Sequence, residues 1–148
     1  MRNLHGLCSI IIVAAAVLAA LLVIYQRSTG AAVIYLVLVA IASLAILYAY
    51  CAKCEARDQR CSHVFPGKLT RWLPQRKAGP YRSMDMLVTG GALAAVFIFP
   101  QYWLWHNKVA LAVFWGFTIV ALLEILLHVC PHCQNRNCML CQKNIIRN

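Results

Sequence analysis

Residues 7–25 read LCSIIIVAAAVLAALLVIY, with no charged side chain among them. A helix needs about 20 apolar residues to cross about 30 Å of hydrocarbon, so this stretch is long enough to span a bilayer. Three further runs match it: residues 31–50, 86–105 and 109–128, the last carrying one carboxylate, Glu124. Only helices and closed barrels satisfy all their backbone polar groups in lipid, and runs of this length suit helices. The composition agrees. Of 148 residues, 62% are hydrophobic and 12% charged, against about 45–50% and about 25% in soluble domains. The sequence therefore predicts an all-α integral membrane protein with four transmembrane helices.

The residues ahead of the first run resemble the start of a signal peptide. The run is longer than a usual signal core, however, and it ends in Ile24-Tyr25-Gln26-Arg27 rather than at a small-x-small cleavage site. Leu7 also stands where a lipoprotein box would place a small residue before Cys8. The first helix is expected to be retained.

Basic residues concentrate in cytoplasmic loops. The segments before helix 1, between helices 2 and 3, and after helix 4 share one side and carry twelve of the fourteen Lys and Arg; the other side has only Arg27 and Lys108. This count predicts a multi-pass protein of the cell inner (cytoplasmic) membrane with both termini in the cytoplasm. It also accounts for the net charge of +10, leaving no reason to expect a nucleic-acid partner.

Seven of the eight cysteines fall on that same side. A cytoplasm keeps thiols reduced, so clustered cysteines there point to metal binding or redox chemistry rather than a disulfide frame. Their spacing repeats. Cys51-Ala-Lys-Cys54-Glu-Ala-Arg57 follows helix 2, and Cys130-Pro-His-Cys133-Gln-Asn-Arg136 follows helix 4, an offset of 79 residues that also carries helix 1 onto helix 3. Helix lengths and phase, rather than residue identity, predict a duplicated helical hairpin. Both halves start and end on one side, as in parallel repeats about an axis along the membrane normal. The division is residues 1–63 for the first hairpin and its cluster, 64–82 for a basic interfacial loop, and 83–148 for the second hairpin and its tail.

The first cluster offers Cys51, Cys54, Cys61 and His63; the second offers Cys130, Cys133, Cys138 and Cys141. Seven thiolates and one imidazole suffice for two four-coordinate centres. One centre is expected to share Cys51, Cys54, Cys130 and Cys133, and the other Cys61, His63, Cys138 and Cys141; one centre per half is the alternative. The cofactor is either an iron–sulfur cluster or Zn2+, since ferredoxin-type spacings are absent and paired C-x-x-C motifs suit both. Position at a membrane surface, within reach of a lipid-soluble quinone, tilts the choice toward iron and sulfur. Arg57 and Arg136 are placed to offset thiolate charge.

Glu124 and His128 lie four residues apart on one helical face. An ionisable pair inside a span is a candidate for proton transfer or a quinone headgroup; a carboxylate orienting an imidazole is the plainer reading. Asp85, with Ser83, opens helix 3 and suits a cap. Pro100 is expected to kink that helix, with Tyr102, Trp103 and Trp105 as an interfacial belt and His106 as the residue an outer haem or quinone pocket would use. Residues 68–73 suit a short surface helix against anionic lipid. Small residues at Ala14–Ala16, Ala19, Ala20, Gly90 and Gly91 predict that helices 1 and 3 form the central contact.

No nucleophile–base set, phosphate loop or nucleotide fingerprint occurs, and the loops are too short for a substrate domain. The expectation is a small subunit, not an enzyme by itself, that works in electron transfer or anchoring beside other membrane or cytoplasmic redox subunits. The alternatives are a scaffold stapled by structural zinc and, less suited for want of Cys or Met at mid-depth, a soft-metal transporter.

Overall fold

The computed structural model describes residues 2–54, 69–74, 76, 77, 79–132 and 135. Among them the protein is all-helical. Helix α1 runs Arg2–Arg27 and α2 runs Thr29–Ala49, joined through Ser28 alone. Ser28 adopts an extended conformation and its hydroxyl accepts from the Ala31 amide at 3.3 Å, so one residue both ends one helix and caps the next. Helix α3 spans Ser83–Ile98, the short α4 spans Gln101–Leu104, and α5 spans Lys108–Glu124, capped in the same way by Asn107 onto the Ala110 amide. A π-helical stretch, Ile125–Val129, continues α5.

Four helical segments are long and apolar enough to cross a membrane: Leu4–Arg27, Thr29–Lys53, Ser83–Leu104 and Lys108–Val129. No more than 22% of the apolar window of any of them is buried within the protein. Leu18, Leu22, Ile34, Leu36, Ile41, Leu44, Ile119 and Leu122 all point outward. Such a surface is stable against hydrocarbon and would be an aggregation liability in water.

Packing departs from the expected pairing of helices 1 and 3. The most extensive seam joins α1 to α5, the next joins α2 to α3, and α1 lies against α2. The helices thus follow the spatial order α5–α1–α2–α3. The small residues of α1 do lie at the centre: Gly6, Ser9, Ala16 and Ala20 are buried along one stripe. Their short side chains let α5 approach, with Phe114 and Ala121 facing the seam. The matching residues of α3 make no such contact, and a Cβ added at Gly90 or Gly91 would meet nothing within 4 Å. Shared small-residue content did not determine the partner because small residues permit close approach without selecting who approaches.

The main core occupies the end away from the cysteines, where Ala16, Ala20, Ile24, Ala32, Tyr35, Leu104 and Phe114 pack together. The Pro100 kink lies in it. Proline has no amide hydrogen, so the carbonyl of Val96, four residues earlier, loses its helical donor. Tyr35 supplies one from α2: its buried hydroxyl donates to the Val96 oxygen at 3.3 Å, and its ring stacks on Phe99. The Gln101 side chain donates to the next carbonyl, Phe97, at 2.6 Å. Tyr102 and Trp105 are exposed beyond the kink, and Lys108 lies 4.0 Å over the Trp105 ring. His106 is exposed and bonded to its own helix through the Tyr102 carbonyl at 3.0 Å.

Within residues 64–82, Leu69 is helical. Thr70–Trp72 form one 3-10 turn after Leu69, with Thr70 buried and Trp72 almost fully exposed; Lys68 lies outside the described residues.

Candidate functional site at the cysteine-bearing end

Both C-x-x-C motifs begin in the same way. Helix α2 tightens at its end into a 3-10 turn, Cys51–Lys53, and the fourth span ends in another, Cys130–His132. The sequence offset of 79 residues places these turns in register. In the first, Cys54 leaves the turn in extended conformation while its amide donates to the Cys51 carbonyl at 3.2 Å. The turn sets Cys51 and Cys54, three positions apart, at the two ends of one short stretch of backbone, the spacing that zinc-binding C-x-x-C pairs use. Cys51, Cys54 and Cys130 are partly buried, whereas Cys8, on α1, is exposed.

Lys53, between the first two thiols, is anchored. Its ammonium donates to Asp85 Oδ2 at 2.8 Å, the Arg76 guanidinium donates to Oδ1 at 2.9 Å, and the Arg82 amide donates to Oδ2 at 3.0 Å. Asp85 is therefore more than the expected cap: it ties the first C-x-x-C, the interfacial loop and the first turn of α3 into one buried ionic knot.

A second link reaches the tail. Tyr50, the residue before Cys51, stacks on Tyr81 with ring centroids 4.3 Å apart. The Tyr81 hydroxyl donates to the Tyr50 carbonyl at 3.3 Å and accepts from the Asn135 side chain at 2.9 Å. Asn135 is buried and stands two residues beyond Cys133. One tyrosine thus touches the approach to the first cysteine pair and the exit from the second.

At the same end, where α1 begins and α5 finishes, a cluster of different chemistry forms. His5 Nδ1 stands 2.6 Å from Glu124 Oε1, and His128 Nδ1 stands 3.3 Å from Glu124 Oε2. The two imidazoles stack at 4.7 Å and only 15° from parallel. One carboxylate therefore receives a ring nitrogen on each oxygen, one from its own helix and one from α1. The Glu124–His128 pairing was legible as an i, i+4 spacing. His5 was missed, although a signal existed: with both spans crossing fully, it falls at the same depth as His128.

Cys61, His63, Cys133, Cys138, Cys141, Arg57 and Arg136 lie outside the described residues. Among the described residues, the group of three or more His, Cys, Asp and Glu with ligand atoms all within 4.8 Å of one another is His5, Glu124 and His128. No protein-family model, curated protein or solved structure matches the chain.

Proposed function

We propose that this protein is a small membrane subunit that carries cysteine-ligated metal at one bilayer surface and serves electron transfer or anchoring within a redox complex. The observation that carries the reading is the Tyr50–Tyr81–Asn135 chain of contacts. It supports convergence of two cysteine segments that are far apart in sequence, which a shared centre requires. The matching 3-10 turns at Cys51 and Cys130 add support, and they favour descent of the two hairpins from one duplicated unit.

On this reading Cys51, Cys54, Cys130 and Cys133 hold one centre, and Cys61, His63, Cys138 and Cys141 the other, with Arg57 and Arg136 offsetting thiolate charge. The twelve-to-two charge count sets this end in the cytoplasm, and the basic loop with exposed Trp72 contacts anionic lipid or a partner subunit. Cysteine ligation by iron–sulfur clusters supplies one-electron chemistry there; ligation of zinc would make the same end a structural staple.

One measurement separates these readings. Full-length protein purified anaerobically in detergent is assayed for iron, acid-labile sulfide and zinc, with its visible spectrum. Brown protein containing iron and sulfide in equal amounts supports the electron-transfer subunit. Colourless protein with stoichiometric zinc converts the reading to a zinc-stapled scaffold. Protein without bound metal under both iron- and zinc-replete growth overturns both.

A further inference from the structure

We propose that His5, Glu124 and His128 form a second, sulfur-free site for a divalent transition-metal ion of the zinc type, independent of the cysteine segments. Three donors from two helices already converge, with ligand atoms mutually within 4.8 Å. An ion bound by two imidazoles and one carboxylate needs bonds of about 2.0–2.2 Å, and donors already within 4.8 Å of one another can be drawn to one centre by side-chain rotation alone. Two imidazoles with one carboxylate prefer zinc, ferrous iron, nickel or copper to magnesium or calcium, which favour all-oxygen shells. Such a set fills three positions and leaves the rest for water or substrate.

Three further features fit an ion rather than a purely structural hydrogen-bonded triad. The donors are reachable from water, His128 being 49% and His5 36% exposed, while Glu124 is only 22% exposed and braced from both sides. The ring nitrogen facing the carboxylate is Nδ1 in both histidines, so both can present the same atom to an ion displacing their shared proton contacts. The π-helical stretch begins directly after Glu124 and contains His128. Such a stretch is an unfavourable insertion in an α-helix and occurs frequently at functional sites; here it sets the register of His128 against Glu124. The nearby α1–α5 seam, closed by Gly6, Ser9 and Ala121, fixes the height of His5 relative to the pair.

The test uses Co2+ as the probe, in full-length detergent-solubilised protein whose thiols have been alkylated to silence the cysteines. The proposal expects one equivalent of cobalt per chain, with ligand-field bands of nitrogen–oxygen coordination and no thiolate charge-transfer band. His128→Gln and His5→Gln each weaken binding at least about tenfold, since even residues behind the ligands typically change affinity by 10–100-fold. His106→Gln, at the opposite end, leaves it unchanged. His128 is half exposed, so its replacement leaves the helices intact, checked by circular dichroism. Absence of cobalt binding in the alkylated protein, or equal binding by His128→Gln and the parent, overturns the site. Neither result bears on the cysteine centres, which the alkylation removes from the measurement.

Discussion

Lys53, placed between the two thiols of the first C-x-x-C, donates to Asp85 at the start of α3 across 2.8 Å, with both side chains at most 10% exposed. Removing one member of a buried pair leaves the other charge uncompensated, which costs about 3–5 kcal/mol. Asp85→Asn keeps the shape and should lower stability by about 3 kcal/mol in a detergent denaturation titration. Lys53→Met combined with Asp85→Asn should destabilise by less than the two single changes together, because the second removes a charge the first has stranded. Additive effects would mean the pair is not energetically coupled.

The Tyr35 hydroxyl replaces the amide donor that Pro100 lacks. Tyr35→Phe keeps the ring on Phe99 but leaves the Val96 carbonyl without this donor beside a fully buried ring, a loss of about 1–3 kcal/mol. Tyr102→Phe, whose ring is exposed at the same end, is expected to change stability by less than about 0.5 kcal/mol. Thermal unfolding of the two variants in the same detergent compares them directly. Equal melting temperatures would remove Tyr35 from its role at the kink.

The four long apolar helices were legible because crossing hydrocarbon demands a long run nearly free of charge, and residues 7–25, 31–50, 86–105 and 109–128 are each such a run. Pro100 announced its kink for an equally local reason. Who packs on whom was not legible. Lipid removes the hydrophobic drive that makes buried faces apolar, so the outward Leu and inward Ala of α1 carry no sign of whether α3 or α5 lies opposite. The site divided similarly. Glu124 and His128 show their relation within one helix, whereas His5 and Tyr81 matter through contacts 119 and 54 residues distant. Those contacts depend on helix order, which the sequence pattern left open.

Tyr81 links Tyr50 to Asn135 through its hydroxyl. Tyr81→Phe preserves the stack on Tyr50 and removes two hydrogen bonds, each worth about 0.5–1.5 kcal/mol net. If the cysteine segments share metal, the variant should release it to a chelator roughly tenfold faster than the parent, following from about 1.4 kcal/mol lost. Asn135→Ala should reproduce most of the effect. Unchanged release from both variants would show that this bridge does not hold the segments together.

The α1–α5 seam and the open face of α3 make opposite predictions for residues of similar size. Ala20 is fully buried in the cluster that joins α1 to Phe114 of α5 and Tyr35 of α2, and lengthening it to leucine overfills that cluster. Overpacking of this kind costs about 1–3 kcal/mol. Gly90→Ala and Gly91→Ala meet nothing within 4 Å, and each replaces the most flexible residue in a helix interior, a gain of up to about 1 kcal/mol. Had helices 1 and 3 packed through their small faces, the glycine variants would be the damaging ones and Ala20→Leu no worse. Denaturation midpoints for the three variants decide between the two arrangements, and the sign for Gly90 and Gly91 is the sharper discriminator because no void or clash on the α1 side contributes to it.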